Sequence, residues 1–577
     1  VVLLRRLGEM AKIARRVMVG NNIPRKEAIR GQRRFLELVA RARALEGAMV
    51  WGNRRGGFLL RPWLVTFGSL VVLAVVVLLL WRWPGHTELP AKEGLVVYCA
   101  AGVVKPVEEV AAAYEGEYGV PVRIEPGGSG ALLSKLRIAP ERADLYLAAE
   151  ESYLREARQK KLIAEILPVA RVHVVIAVRN GNPLRIRGIG DLLREDVSVA
   201  IPNPELAAVG RSVQRALAGG GEWEKLSARL QVPQPKVSLV GTVTEAAQAI
   251  KLGAAEAALV WDATAKQFGL EYVEPPEFLE KATEQIQIGV STGTARPTAA
   301  LHFARYLTAA DRGQPVFARH FFQPLEDADQ WEDRPQLVLM AGAMLKPAID
   351  EQIKEFAARE GVDISTIYAG CGIHVAQMKA MKRGEAVPHR FPDAYFACDC
   401  SFMDMVQQWF EASRKIARND MVLAVAAGNP HRVRSAEDLT RPELRVGLGH
   451  PQNSALGALT DDLLKKIGLH ERVYRKDRRY PVVHTDAGHD LVNKLRVGAL
   501  DVAIVYRSNV LSHHKTGQHD VEIVEMNIPE AIAIQPYSVS QNSRHRYLMR
   551  RLLEKFLSPE SHKRFTEVGF HWVAEEK

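Results

Sequence analysis

Val96-Val-Tyr-Cys-Ala-Ala-Gly-Val-Val-Lys-Pro106 returns further along the chain as Leu337-Val-Leu-Met-Ala-Gly-Ala-Met-Leu-Lys-Pro347, and this return decides the fold. Each copy is a short aliphatic run, a small-residue turn and a Lys-Pro pair that opens a helix. Six further blocks repeat in the same order. Glu125-Pro-Gly-Gly-Ser-Gly130 matches Tyr368-Ala-Gly-Cys-Gly372 in its last four positions, and Asp144-Leu-Tyr-Leu-Ala-Ala-Glu150 matches Asp393-Ala-Tyr-Phe-Ala-Cys-Asp399. Gly181-Asn-Pro183 and Asp191-Leu192 match Gly428-Asn-Pro430 and Asp438-Leu439. Pro204 through Gly210 matches Pro451 through Gly457, and Gly253-Ala-Ala-Glu-Ala-Ala-Leu-Val-Trp261 matches Gly498-Ala-Leu-Asp-Val-Ala-Ile-Val-Tyr506. Offsets stay between 241 and 249 residues, the signature of a tandem duplication.

Each copy alternates short apolar strands with helices, the pattern of an α/β fold with mixed, mainly parallel sheets. Val96–Tyr98 reads as a strand, followed by an amphipathic helix with Val107, Val110 and Tyr114 on one face. Gly119–Ile124 reads as the next strand, and Gly127-Gly-Ser-Gly130 opens a helix carrying Leu132, Leu133 and Leu136. The polar, proline-bearing stretch Glu326–Pro335 is the linker between two two-lobed modules, 94–330 and 336–577.

The chain has 577 residues with 77 Lys+Arg against 67 Asp+Glu, a net charge of +10. Residues 1–61 hold 15 basic and 4 acidic side chains, so the remainder carries a net −1. The positive charge is a property of the leader, and nucleic acid drops out as a partner of the modules. Pro62–Trp81 is 20 residues without a charge, about 30 Å as a helix, with Trp63, Trp81 and Trp83 at its ends. This predicts one transmembrane helix over 62–81. A basic cytoplasmic leader over 1–61 precedes it, and the bulk of the chain lies outside the inner membrane. No Ala-x-Ala site or lipid-acceptor Cys follows, so the expectation is an uncleaved anchor. Residues 1–50 read either as a short basic helix on the anionic leaflet or as an over-extended gene start.

A strand, a small-residue turn and a helix start together present backbone N–H groups at the positive end of a helix dipole, an anion site. A P-loop would need Gly-Lys-Ser/Thr and a dinucleotide site three spaced glycines, and neither is present. Several marks act together: the small-residue first loop, the Gly-Ser-Gly turn and the Asp-x-Tyr-x-Ala strand. Others are Asn-Pro with Asp-Leu downstream, the proline-to-glycine stretch ahead of a helix, Gly498-x-x-Asp-x-x-Ile-Val-Tyr506, and the ending Phe556-Leu-Ser-Pro-Glu-Ser561 with Gly569-Phe570. In these marks each copy resembles the molybdate-binding protein of molybdate ABC transporters, within the type II periplasmic binding proteins.

That resemblance implies a tetrahedral oxyanion held between two lobes by hydroxyls and N–H groups. The ligand implied is molybdate or tungstate, with no cofactor. Carried over residue by residue, the first-loop serine falls at Gly102 and Ala343, so both copies lose a hydroxyl there. The second serine falls at Ser129 and at Cys371. The N–H donors fall at Val209 and Leu456, then at Val243 and Gly488, and the tyrosine at Trp261 and Tyr506. Asp262 beside Trp261 would repel a dianion unless it points away. Arg507 beside Tyr506, with Asn453 and Ser454 near the third loop, favours the second copy as the binding one. Lys105 and Lys346 at matching helix starts are either solvated or add positive potential to the cleft.

The function implied is a membrane-anchored solute-binding protein that hands its ligand to an ABC permease. Alternatives are a ligand sensor or scaffold, or a binding protein for another oxyanion, iron or an organic anion. Iron sites of this superfamily usually use paired tyrosines, and adjacent Tyr-Tyr is absent here. No His-Glu-x-x-His motif or kinase-like set points to an enzyme. Of the four cysteines, 99, 371, 398 and 400, Cys371 and Cys398 fall on neighbouring loops of one lobe in the implied fold, which leaves a disulfide open. Cys398-Asp-Cys400 with Cys371-x-x-His374 lacks the paired spacing of a metal site.

Overall fold

The computed structural model describes residues 94–574 except 231–235, 515, 516 and 518. The leader expected at 1–61 and the span expected at 62–81 lie outside the described residues. Among the described residues no helix is long and apolar enough to cross a membrane.

The first module is built on β1 (Leu95–Ala100), β2 (Val122–Gly127), β3 (Leu145–Ala148), β4 (Ile163–Val178), β5 (Val199–Pro202), β6 (Val237–Val240), β7 (Ala257–Trp261), β8 (Glu271–Val273) and β9 (Thr283–Ser291). Their order is β2-β1-β3-β9-β4-β7-β5-β6, with β8 also on β4. The second module repeats this with β10 (Gln336–Gly342), β11 (Asp363–Ala369), β12 (Ala394–Phe396), β13 (Arg414–Ala426), β14 (Val446–Gly449), β15 (Val483–Thr485), β16 (Val502–Tyr506), β17 (Val521–Val524), β18 (Ile532–Val539) and β19 (His571–Trp572). Its order is β11-β10-β12-β18-β13-β16-β14-β15, with β17 and β19 on β13.

The long strands β4 and β13 each belong to both sheets of their module and so join the two lobes. They also correct the expectation of mainly parallel sheets. β1 runs parallel to β2 and β3, and β5 parallel to β6 and β7. Every pairing of β4 and β9 is antiparallel, because the chain crosses from one lobe to the other on β4 and returns on β9.

Local chemistry accounts for the elements that reach the clefts. Leu95, Val97, Tyr98, Cys99 and Ala100 of β1 are all buried, a strand covered on both faces. The next helix, Val104–Tyr118, buries Val107, Val110, Ala111 and Tyr114 along one stripe and stops at Gly119, whose φ of 63° is left-handed. Its copy, Lys346–Glu360, stops the same way at Gly361. The strand expected from Gly119 starts at Val122 and runs on to Gly127. Each module has its own apolar core, one from Leu95 to Phe322 and one from Leu337 to Phe570.

The stretch between the modules is tied to the first by Ala310 N–H, which donates to the Asp329 carbonyl at 2.8 Å, and to the second by the Asp329 side chain. The Asp329 carboxylate accepts the N–H groups of Tyr547 (2.8 Å) and Leu548 (2.9 Å), in the first turn of the helix Arg546–Phe556. Arg359 of the second module forks onto Glu165 of the first, with Nη2 at 3.0 Å from Oε2.

Candidate functional site

Each module has a cleft between its lobes where four helix N-termini converge. In the first module these are the helices Val104–Tyr118 (through the turn Ala101–Val103), Ser129–Ile138, Ala208–Leu217 and Val243–Lys251. No side chain caps the first three. Their dipoles therefore point at the cleft without a built-in partner. The cleft is narrow, and Gly102, Ser129, Val209, Val243 and Trp261 all line it, together with small residues such as Ala149 and Ala207. All five residues carried over for this copy come together.

The glycines of the Gly127–Gly130 turn have a cause that the sequence reading missed. A Cβ on Gly128 would lie 2.3 Å from the Leu206 carbonyl oxygen, and one on Gly130 2.0 Å from that of Glu205. Gly130 N–H also donates to Leu206 O at 2.9 Å. The turn touches the opposite lobe directly, so in this arrangement of the lobes a side chain is excluded there. The same holds in the second module, where a Cβ on Gly370 would meet Asn453 O at 2.2 Å and one on Gly372 would meet Gln452 O at 2.0 Å.

Asp262 does point away from the cleft. Its carboxylate accepts the His173 N–H at 3.3 Å and pairs with Lys266 at 3.2 Å. The dianion repulsion feared from the sequence is thereby relieved. Ser129 Oγ accepts the Ala149 N–H at 3.4 Å, and its O–H remains able to donate into the cleft.

In the second module the converging helices are Lys346–Glu360, Cys371–Lys382, Ala455–Lys466 and Gly488–Arg496, and no side chain caps any of them. Ala343, Ser454, Leu456, Gly488 and Tyr506 line this cleft, with Cys398, Asp486 and His489 that the sequence reading passed over. Trp261 and Tyr506 hold the same place in register, opposite Val174 of β4 and Met421 of β13. Among the described residues the buried Tyr506 hydroxyl has no hydrogen-bond partner, and burial holds it well above the usual phenol range, in its donor form.

Two of the residues carried over for this copy are not on the cleft wall. Asn453 spends its side-chain amide on Asp486 at 3.0 Å. Cys371 is fully buried beside Cys398, accepting that residue's N–H at 3.0 Å. The expected cation is missing too. Arg507 turns to Glu525, with both carboxylate oxygens at 2.7 Å. Lys105 and Lys346 are solvated, each near an aromatic ring, Phe268 and Tyr368. All four cysteines are free thiols. Among the described residues no three His, Cys, Asp or Glu side chains gather as a metal set.

The lobes of the first module are also joined by charge. Arg215 donates to Glu150 at 2.9 Å and also pairs with Glu284. Arg211 reaches Ser152 at 3.2 Å and stacks 3.5 Å over the Tyr153 ring. In the second module, among the described residues, no ion pair links the corresponding helices Cys400–Asp404 and Ala455–Lys466.

Residues 95–323 and 337–571 each match the bacterial extracellular solute-binding protein family. Over 182 residues the chain is 31% identical to the molybdate-binding protein ModA of Mycobacterium tuberculosis (strain ATCC 25618 / H37Rv), covering 30% of this chain and 62% of that protein. Over 138 residues it is 26% identical to a putative binding protein of Haemophilus influenzae, 24% of this chain and 56% of that one. The chain thus spans less than two thirds of the length of these curated relatives. Among solved structures, the Azotobacter vinelandii periplasmic molybdate-binding protein aligns at 19% identity and a TM-score of 0.35, covering 40% of this chain and all of that one. The sulfate-binding protein SubI of Mycobacterium tuberculosis H37Rv aligns at 19% and 0.35, over 42% and 88%. Iron-bound HitA of Pseudomonas aeruginosa aligns at 16% and 0.35, over 42% and 89%.

Proposed function

The chain belongs to the bacterial extracellular solute-binding protein family, as two tandem copies similar to molybdate-binding proteins. From that premise we propose that its first cleft captures a tetrahedral oxyanion of the molybdate or tungstate class. The observation that carries this reading is the convergence of four helix N-termini on one small cleft with the Ser129 hydroxyl among them. Dipoles and hydroxyls in a dry cleft stabilise an oxyanion without a lysine or arginine. Charge placement supports the first cleft over the second, against the preference drawn from sequence. Asp262 faces away from the first, whereas Arg507 is withdrawn from the second and Asp486 stands on its rim.

In this reading the lobes close about the strands β4 and β9 that cross between them. The apolar segment 62–81 anchors the chain in the inner membrane, and an ABC permease receives the ligand. Calorimetric titration of the full chain with molybdate, tungstate, sulfate and phosphate tests it. Heat with at least one of the four is expected, and no heat with any of them sinks the oxyanion reading.

A further inference from the structure

The two clefts differ by a paired replacement. Where the first module has Ser129 accepting the N–H of Ala149, the second has Cys371 accepting the N–H of Cys398. Both sulfurs pack against the first loop of that module. A Cβ built on Gly342 would lie 2.2 Å from Cys398 Sγ and 3.4 Å from Cys371 Sγ. Cys398 lines the cleft and Cys371 lies directly behind it.

The rest of the cleft narrows the ligand. Thiols select a soft centre. The unpartnered Tyr506 hydroxyl and the uncapped helix N-termini call for oxygen atoms on that centre. The Asp486 carboxylate on the rim, with Arg507 and Lys346 directed elsewhere, disfavours a dianion. A bare copper(I) ion would satisfy the sulfurs and leave the oxygen-seeking donors empty.

We propose that the second cleft captures uncharged trivalent arsenic hydroxide, As(OH)3, by condensation with Cys371 and Cys398. Two As–O bonds break and two As–S bonds form, and each thiol proton leaves with a hydroxide as water. Arsenic stays trivalent, so no oxidant or reductant is needed. The remaining As–OH faces Tyr506. This rests on the reading of each module as a solute-binding cleft and assigns the second a different ligand class from the first.

The test uses the full chain mixed with sodium arsenite and freed of excess by gel filtration. Bound arsenic is measured by mass spectrometry and its ligands by X-ray absorption. One arsenic per chain with two sulfur ligands is expected. Retention falls at least about ten-fold in the Cys371→Ser/Cys398→Ala variant and is unchanged in Cys400→Ser. The double variant installs the serine and alanine that this fold already carries in the first module, so loss of binding there is not loss of folding. Equal retention in the double variant, or arsenic without sulfur ligands, overturns the proposal. If molybdate or another of the four oxyanions binds and arsenite does not, this inference alone fails. If neither kind of ligand binds, the solute-binding reading fails with it.

Discussion

Arg215 donates to Glu150 at 2.9 Å and so ties the helix Ala208–Leu217 of one lobe to the start of the helix Glu151–Gln159 in the other. Glu150 is fully buried, and Glu284 beside it nearly so. Arg215→Ala leaves both carboxylates without their cation, at a cost of about 1–3 kcal/mol. Amide exchange should rise in the helices Ala208–Leu217 and Glu151–Gln159 of the first module. It should stay unchanged in the second, where Asp462 holds the corresponding position. Equal exchange in both modules would contradict the lock.

Glu284 gives the first module a pH dependence. Burial raises its carboxyl to about 7, in spite of the Ser212 hydroxyl that donates to it at 2.5 Å and the neighbouring Arg215. Since this lies above the ordinary 4.5, the folded chain holds the proton more tightly than the unfolded one. The contribution to stability is full below about pH 4.5 and is lost as pH rises through about 7. Glu284→Gln should remove that slope, on the order of 3 kcal/mol between about pH 4.5 and about pH 8. Denaturant unfolding of both forms across this range measures it.

Glu360 and Arg551 form a buried ion pair, 1% and 6% exposed at the side chain, with Nε at 2.7 Å from Oε1 and Nη2 at 3.0 Å from Oε2. It joins the helices Lys346–Glu360 and Arg546–Phe556. Glu360→Ala strands the guanidinium in the core beside Arg305, whose buried nitrogens have no hydrogen-bond partner among the described residues. A loss of about 3–5 kcal/mol is expected in urea unfolding. Replacing both members, Glu360→Leu with Arg551→Met, should recover most of it.

The repeat and the helix starts around each cleft were legible in the sequence because they are local features, a few residues of turn chemistry followed by an apolar stripe. What lay out of reach was side-chain direction next to the strand ends. Asp262 is turned by His173 and Arg507 by Glu525, partners 89 and 18 residues away. Cys398 escaped notice as a cleft residue because the side chain of its counterpart Ala149 carries no polar group. Its place beside Cys371 depends on two loops meeting at Gly342. The crossing strands likewise read as ordinary members of a parallel sheet, since the direction of a strand leaves no mark on its composition.

The assignment of different ligands to the two clefts predicts opposite outcomes for two conservative variants. Ser129 offers the first cleft its hydroxyl, and a hydrogen bond to a charged group contributes about 1.5–3 kcal/mol. Ser129→Ala should therefore weaken oxyanion affinity by roughly 10- to 100-fold in calorimetry. Tyr506→Phe removes a hydroxyl that lines only the second cleft, and oxyanion affinity should not move. The reverse pattern, with Tyr506→Phe weakening the oxyanion and Ser129→Ala silent, would return the oxyanion to the second module. That module would then have to hold a dianion against Asp486 with Arg507 already committed to Glu525.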